Sequence, residues 1–331
     1  MGQPARRFVA TASLHGASIR VSLTSVKTRA ERSSVEARAR ISPRRIASLM
    51  LRAMSPAEGS MLCPQCGRLI GVSEERCPFC GAWRPGMFGA APKLQRFFAA
   101  HHIDLISVIV TACVALYATS LALDPRAVFA NGFNLFNLLA PSTRALFQLG
   151  MTGGVAWRAG WWWTLLTAIY LHGSLLHIFF NMMWVRNLGP VVSQVYGPAR
   201  AFVIFSIAGA AGFLVSNLVT GSPTIGASGS IFGLLAALIV YSRHAGASVM
   251  RAQLWQWAII LFVFGFLMQG VNNFAHAGGF AGGWICAQIM KPLGEKRETP
   301  AVQVLALALL ALTAIGVALS FVKVTTLLLS Q

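Results

Sequence analysis

Two short motifs place polar side chains inside stretches that are otherwise apolar. Ser228 stands in GASG, between Gly226 and Gly229, and His276 stands in NNFAHAGG. A serine hydroxyl becomes a nucleophile only when a base takes its proton, and a neutral imidazole is a suitable base near pH 7. Together the two side chains predict nucleophilic acyl transfer, with Ser228 as the nucleophile and His276 as the general base.

A third motif, LHGSLLHIFFN, supplies candidate donors for an oxyanion. His177 and Asn181 are four residues apart, so on a helix they share a face. These two side chains and the backbone N–H of Ser228 could stabilise the charge of a tetrahedral intermediate. Gly226 would let a substrate backbone approach without a side chain in the way. His172, about 140° around the helix from His177, fits either structural bracing or catalytic support.

The apolar region offers no carboxylate that could complete a catalytic triad. There is no Asp or Glu between Asp124 and Glu295. We therefore expect a serine–histidine dyad. The same absence argues against an aspartyl intramembrane protease and an HExxH metalloprotease, and it disfavours an ion-coupled transporter.

Four cysteines near the N-terminus predict a metal site. They form two CxxC pairs in CPQCGRLIGVSEERCPFCGAW, namely Cys63, Cys66, Cys77 and Cys80. Each pair is followed by a glycine that relieves the backbone as it wraps an ion. The spacing is typical of a tetrahedral four-cysteine zinc site, so we expect a structural zinc. The alternative is a pair of disulfides, which would require an oxidising compartment.

The elements that must position these side chains are membrane helices. The chain of 331 residues is 56% hydrophobic and only 11% charged, which argues against a soluble protein. Apolar runs of spanning length predict seven helices, at about 103–123, 165–186, 200–220, 226–243, 254–271, 273–290 and 302–322. Pairs of small residues, such as Gly209 with Gly212 and Gly279 with Gly283, predict close packing between helix backbones.

Basic residues near the helix ends predict the orientation of these spans. One side collects Lys93, Arg96, Arg186, Arg200, Arg243, Arg251, Lys291, Lys296 and Arg297, and the other only Arg126, Arg144, Arg158 and Lys323. By the positive-inside rule the N-terminus and the cysteine motif are cytoplasmic. The second, fourth and sixth spans then run inward, which places His172, Ser228 and His276 within roughly 10 Å of the outer surface.

Outside the spans, composition divides the chain into segments. Residues 1–60 read as a disordered basic tail, because eleven of the 27 Lys and Arg lie from Arg6 to Arg52 without a sustained apolar run. A transit peptide, or a start codon assigned ahead of a true start at Met54 or Met61, fits the same composition. We expect no nucleic-acid partner. The zinc ribbon spans 61–86, a linker 87–102, the core 103–290, and a second linker with an extra helix 291–331.

Taken together, LHGSLLHIFFNMM, GASGSIFGLL and AHAGGFAGG resemble the rhomboid family of intramembrane serine proteases, over about residues 100–290. The resemblance implies an all-α polytopic bundle of six helices, to which this chain adds a seventh at its C-terminus. It implies that Ser228 is the nucleophile, His276 the base, His177 and Asn181 the oxyanion donors, and His172 part of a supporting hydrogen-bond network. It also implies cleavage of transmembrane proteins within the lipid bilayer, near its outer face, without a catalytic cofactor.

Two positions depart from the family pattern. Thr164, in WWTLLT, stands where an arginine is usual, and Asn272 stands where many bacterial members have an aspartate. The first bears on the long loop before the second span. A non-catalytic rhomboid-like protein that binds membrane helices is the alternative, although its expected signature, loss of the serine or the histidine, is missing. We expect a multi-pass protein of the bacterial inner (plasma) membrane whose substrates are single-span or polytopic membrane proteins.

Overall fold

The computed structural model describes residues 8–14, 17–23, 60–63, 66–83, 105–130, 137–268, 270–294 and 298–329. The chain divides into two compact units, Met1–Gly59 and Ser60–Gln331. The predicted linker at 87–102, with Lys93 and Arg96, lies outside the described residues, as do Lys296 and Arg297.

Within the first unit, strands β1 (Phe8–Leu14) and β2 (Ala17–Leu23) pair in antiparallel fashion. These strands differ from the expectation of a wholly disordered tail. The physical reason is local, since each strand contains two β-branched residues two positions apart, Val9 and Thr11 in β1 and Ile19 and Val21 in β2, and such residues favour strands. Most of the remaining tail lies outside the described residues, where its disorder stays a prediction.

The second unit begins with the cysteine motif, which contains two short strands. Strands β3 (Ser60–Leu62) and β4 (Leu69–Gly71) are antiparallel, and Met61 pairs with Ile70 in the buried interior. Val72 and two of the cysteines complete this small cluster. So few apolar side chains form a core too small to hold the segment together without a further cross-link.

Helices make up the rest of the second unit. In chain order they are α1 (Leu105–Leu123), α2 (Pro125–Ala130), α3 (Thr143–Gln148), α4 (Gly154–Arg158), α5 (Thr164–Thr167), α6 (Leu175–Tyr196), α7 (Pro198–Val219), α8 (Ser228–His244), α9 (Ser248–Leu267), α10 (Asn273–Ile289) and α11 (Pro300–Leu329). Among the described residues, α1, α7, α9 and α11 are long and apolar enough to cross a membrane. The count rises to five if α6 forms one bent span with α5 and the 3₁₀ turn that follows it, Ala168–Tyr170. The chain is therefore an integral membrane protein, and seven spans stay a prediction.

The second predicted span is wrong in its boundaries. The helix does not run through 165–186, because the chain breaks between Tyr170 and Leu175 with a bend of 96°. Ser174 causes the new start, since its hydroxyl accepts a hydrogen bond from the His177 N–H at 3.2 Å and caps α6. Arg186 consequently lies in the middle of α6, which continues to Tyr196, so it does not mark a helix end as the orientation argument assumed.

Three helices, α7, α8 and α10, form the centre of the bundle and approach one another through glycines. A Cβ on Gly279 would overlap the Gly229 carbonyl oxygen and lie 2.8 Å from the Gly229 Cα. A Cβ on Gly212 would likewise overlap the Ala275 carbonyl oxygen. Because backbone meets backbone at these points, α8 and α10 pack closely, as the small-residue spacing predicts. No side chain there can rotate to make room for a larger residue.

The loop between α1 and α5 lies at the same end of the bundle as the start of α8. The Thr224 N–H donates to the Thr152 carbonyl at 3.0 Å, and the Asn217 amide donates to the Thr152 hydroxyl at 3.0 Å. Thr164 is fully buried there, and its hydroxyl donates to the Trp161 carbonyl at 2.7 Å. Thr164, at the position where the family pattern has an arginine, thus takes part in an uncharged hydrogen-bond network at the end of this loop.

At the opposite end, Glu298 fixes the approach to α11. Its Oε1 accepts the Arg200 N–H at 2.8 Å, which caps the N-terminus of α7. Burial raises the pKa of the Glu298 carboxyl, and the N–H and charge of Arg200 oppose that rise. The Arg200 guanidinium donates to the Lys291 carbonyl at 2.8 Å. The segment that leads into α11 is therefore bound to the start of α7 rather than loosely attached.

Candidate active site

The structure brings Ser228 and His276 together, as predicted from their motifs. Ser228 is the first residue of α8, and His276 is the fourth residue of α10. The His276 Nε2 lies 2.9 Å from the Ser228 Oγ, within hydrogen-bonding distance. His276 is 6% exposed, so the pair is shielded from solvent on most sides. A hydroxyl donating to an imidazole in this way is poised to lose its proton to that ring.

Asn273 orients the His276 ring, and the sequence analysis did not identify it. Its Oδ1 lies 3.0 Å from the His276 Nδ1. Because a carbonyl oxygen can only accept, the proton of the neutral ring sits on Nδ1 and leaves Nε2 free to accept from Ser228. Phe232 of α8 stacks on the same ring at 4.5 Å. The available signal was spacing, since residues three apart on a helix are neighbours.

Asn272 caps the helix that carries His276. Its Oδ1 accepts from the N–H groups of Phe274 and Ala275, at 3.1 and 3.3 Å. Its Nδ2 donates to the Ser216 Oγ at 2.7 Å and lies 3.3 Å from the Thr224 Oγ1. An ionised aspartate could make the cap but could not donate. The asparagine therefore ties the start of α10 to α7 and to the loop before Ser228.

His177 presents an N–H toward the loop before Ser228. Its Nδ1 accepts from the Gly173 N–H at 3.2 Å, so the proton of the neutral ring lies on Nε2. A Cβ on Gly226 would come within 2.7 Å of that Nε2. Gly226 has φ of +118°, a conformation that L side chains rarely adopt. Glycine is therefore needed at 226 both for the backbone and for the approach of His177.

Asn181 lies on α6 with His177 and lines the same cavity, as their spacing predicts, and its role as an oxyanion donor stays a prediction. The Asn181 amide donates to the His177 carbonyl on its own helix at 2.8 Å, and its Oδ1 is buried without a partner among the described residues. His172 lies in the break before α6, so it does not share a helix with His177. Its fully buried ring meets His177 edge to face at 5.1 Å, and neither nitrogen has a hydrogen-bond partner in the described structure. The observed contact is packing, which matches the bracing alternative.

The start of α8 adds backbone donors to the site. The first N–H groups of a helix have no partner within it, and they point outward at the positive end of the helix dipole. Ser228 and Gly229 occupy these positions in a helix of 17 residues. Their N–H groups and the His177 Nε2–H are among the groups that could stabilise negative charge beside the Ser228 hydroxyl.

A cavity of about 690 Å³ opens onto these residues. Its polar lining consists of Ser228, His276, His177, Asn181, Asn272 and Thr224, together with Asn137 and Ser174. Its apolar walls come mainly from α6 and α9, through side chains that include Phe180, Met183, Trp184, Ile260, Leu261 and Phe264. Trp184 and Trp257 meet at 5.3 Å between the same two helices. The cavity is therefore an apolar cleft between α6 and α9 with a small polar end.

The four cysteines of the N-terminal motif also converge. Their sulfur atoms all lie within 4.8 Å of one another, with Cys63 and Cys80 at 3.7 Å and Cys66 and Cys77 at 3.6 Å. All four are free thiols. The two halves of the motif repeat the same turn, because Gly67 N–H donates to Cys63 and Gly81 N–H to Cys77, at 2.8 and 2.9 Å.

Fold and site together define a polytopic helical membrane protein with a shielded serine–histidine pair at the end of an apolar cleft. Residues 159–292 match the family described as Rhomboid domain. This segment contains α5 to α10, with both members of the pair, and ends before α11. The match supports the rhomboid family, as the three motifs imply.

Known proteins with similar sequences point the same way. The chain is 33% identical over 181 residues to "Rhomboid protease GluP" of Bacillus subtilis, covering 49% of this chain and 36% of that protein. It is 31% identical over 164 residues to "RHOMBOID-like protein 5" of Arabidopsis thaliana, covering 46% and 52%. It is also 28% identical over 201 residues to "Inactive RHOMBOID-like protein 8" of the same plant, covering 53% and 56%.

The chain thus spans between about a third and just over half of the length of these relatives. These relatives come from a bacterium and from a plant, so they do not support the prediction that this protein lies in a bacterial inner membrane. One is described as a protease and another as inactive, so family likeness alone does not assign activity to this chain.

Proposed function

We propose that the protein is an intramembrane serine endopeptidase that cleaves transmembrane proteins. The observation that carries the proposal is the 2.9 Å contact between Ser228 and His276, held by two helices that meet backbone to backbone. The protease relative supports it. The proposed chemistry uses side chains and backbone groups of this chain alone.

In the acylation step, the Ser228 oxygen attacks the substrate carbonyl while His276 Nε2 takes the hydroxyl proton. The negative charge of the tetrahedral intermediate is stabilised by the His177 Nε2–H and by the N–H groups at the start of α8. The imidazolium then returns the proton to the departing amine, and the C–N bond breaks. Water, deprotonated by His276, hydrolyses the acyl-enzyme and restores the hydroxyl. Asn273 Oδ1 accepts from the His276 Nδ1–H in both the neutral and the protonated ring, so Nε2 is the nitrogen that takes and returns the proton.

The proposed substrates are single-span or polytopic membrane proteins in the lipid bilayer. The cleft between α6 and α9 has apolar walls that suit a lipid-soluble segment, and its polar end suits a locally unwound backbone. We propose seven spans with the cysteine motif in the cytoplasm. The orientation is supported by the basic residues that remain near helix ends, such as Arg243, Arg251 and Lys291. The site then lies near the outer face.

Labelling with a fluorophosphonate tests the proposed nucleophile directly. The purified full chain in detergent is expected to incorporate one probe at Ser228, because only an activated serine reacts at a useful rate. His276→Ala should abolish labelling, while Ser230→Ala, which removes a buried hydroxyl two residues away, should not. Mass spectrometry locates the adduct. An unlabelled wild-type chain that is correctly folded would contradict the proposal.

A non-catalytic protein that binds membrane helices is the second candidate function. The relative described as inactive favours it. Under this alternative the wild-type chain retains a transmembrane segment without cleaving it, and Ser228→Ala leaves that retention unchanged. Cleavage of a single-span substrate by the wild type decides against it.

We also propose that the four cysteines hold a structural zinc ion. Tetrahedral Zn²⁺ with Zn–S bonds of 2.3 Å separates its sulfur ligands by about 3.8 Å. The observed separations of 3.6 and 3.7 Å fit this geometry, and they are too long for disulfides. A metal would also supply the cross-link that the small apolar core of the ribbon lacks.

Metal analysis of the freshly purified chain is expected to find one zinc ion per molecule. Cys77→Ala should lose it, because three thiolates leave the tetrahedral site incomplete. Cys113→Ala is the matched control, since Cys113 lies buried in α1 away from the cluster and should retain the zinc. Zinc retained by Cys77→Ala would rule out this site.

A further inference from the structure

Helix α11 lies outside the segment that matches the Rhomboid domain, which ends at residue 292. It nevertheless contacts the loop beside the site. We propose that α11 is a brace for that loop and that Gly316, Ser320 and Lys323 are its positioning residues. The proposal rests on the proposed protease function, which it deepens by assigning a role to the C-terminal helix.

Two tryptophans of the loop dock on the last turns of α11. The Trp163 Nε1–H donates to the Ser320 Oγ at 2.9 Å. The Lys323 Nζ lies 5.5 Å from the Trp163 ring centroid and 5.6 Å from that of Trp161, and these two rings stack on each other. A cation over a ring face is attracted by the negative electron density of that face. The α11 side chains therefore hold both indoles by directional contacts.

The backbone of α11 also packs directly against α5. A Cβ on Gly316 would come within 2.9 Å of the Thr167 Cγ2 and 3.2 Å of the Trp163 Cβ. Thr167 is fully buried, and its hydroxyl donates to the Gly150 carbonyl at 2.6 Å. A larger side chain at 316 would have to push α5 and this hydrogen bond away from α11.

A displacement of α5 would reach the nucleophile in few steps. Ala168 follows Thr167, and its carbonyl accepts the Gly226 N–H at 2.9 Å. Gly226 lies two residues before Ser228 and sets the approach of His177. A chain of contacts therefore leads from α11 to α5, from α5 to Gly226, and from Gly226 to the reacting groups.

The brace is fixed at both ends of the bundle. Glu298, just before α11, accepts a hydrogen bond at the start of α7. Ser320 and Lys323, near the other end of α11, contact Trp163 of the loop. Trp161 and Trp163 stand beside an uncharged Thr164, and the cation that reaches their rings comes from α11. A helix anchored only by lipid would not need either set of contacts.

The test compares variants of the full chain in proteoliposomes by three measurements. These are kcat/KM on a single-span substrate, the rate of fluorophosphonate labelling, and the rate of tryptic cleavage after the exposed Arg158 of the loop. Gly316→Leu is expected to lower kcat/KM at least about tenfold, because the reacting groups are displaced. Lys323→Met should lower it about threefold. Both should speed cleavage after Arg158.

Two controls separate bracing from general effects on the helix. Ala318→Leu places the same side chain on the exposed side of α11 and should behave as wild type. Lys323→Arg keeps the cation and should restore the wild-type values. Wild-type behaviour of Gly316→Leu and Lys323→Met, or equal losses in Ala318→Leu, would overturn the brace. If the wild type neither cleaves nor labels, the protease proposal fails, while the tryptic rates still test the brace.

Discussion

Ser228→Ala is expected to reduce cleavage of a single-span substrate by at least about 10³-fold, to the uncatalysed background. The hydroxyl is the proposed nucleophile, and no other hydroxyl contacts His276 in the described residues. His276→Ala should cause a similar loss, because the hydroxyl then has no base. The measurement is product formation in proteoliposomes at equal protein level.

Ser230→Ala is the matched control for Ser228→Ala. Ser230 lies two residues further along α8, is fully buried, and has no hydrogen-bond partner for its hydroxyl among the described residues. It should retain wild-type cleavage, so a loss in Ser228→Ala cannot be ascribed to removing a hydroxyl from this helix. Residual cleavage by Ser228→Ala at the wild-type rate would exclude the dyad.

Combining the substitutions distinguishes a catalytic pair from two independent contributions. The double variant Ser228→Ala with His276→Ala should be no slower than either single variant, since the two groups act as a unit. The single variant His177→Ala, in which Ser228 is intact, removes one proposed oxyanion donor and should lower the cleavage rate about 10²-fold. Additive losses in the double variant would argue that the two side chains do not share a step.

The second large effect is expected from Gly279→Val. The new side chain would overlap the Gly229 backbone, which cannot move aside as a flexible side chain would. Helices α8 and α10 must then separate by about 1 Å, and such a displacement of reacting groups can cost about 10²-fold in rate. Overpacking of this kind should also lower the free energy of unfolding by about 1–3 kcal/mol. Cleavage rate and thermal unfolding in detergent measure the two effects.

Ala281→Val provides the control for Gly279→Val. Ala281 lies two residues away on the exposed side of α10, so added bulk there meets lipid rather than backbone. We expect unchanged cleavage and thermal stability. Full activity in Gly279→Val would show that the close contact of α8 and α10 does not set the geometry of the pair.

Much of the site follows from sequence because polar residues in an apolar segment are informative. Ser228 and His276 each stand near the start of a long apolar run, and helices that run in the same direction bring their starts to one level. The glycine spacing of α7 and α10 predicts the close contacts for a similar reason, since periodicity specifies which residues share a face. The family match over residues 159–292 agrees with the motifs.

Three features were not predicted from the sequence: the break before α6, the role of Asn273 and the docking of Lys323. Each depends on individual contacts between side chains or backbone groups. The break before α6 arises because Ser174 caps the helix, yet the apolar run through 165–186 reads as continuous. Hydropathy therefore placed His172 on the wrong element. The role of Asn273 depends on a 3.0 Å contact rather than on composition, and the docking of Lys323 joins residues about 160 positions apart. Of these two, only the role of Asn273 leaves a signal in the sequence, which is the three-residue spacing of Asn273 and His276.

The two imidazoles that line the cleft carry their protons on opposite nitrogens. His276 is held by an acceptor, Asn273, and His177 by a donor, the Gly173 N–H. His276 therefore presents a lone pair to the cleft and His177 presents a proton. In each case the neighbouring group determines which nitrogen of the ring carries the proton. The resting site accordingly needs no ionised group, which suits the proposed position inside a membrane, where a permanent charge would cost several kcal/mol. In the proposed mechanism, charge develops there only while bonds are made and broken.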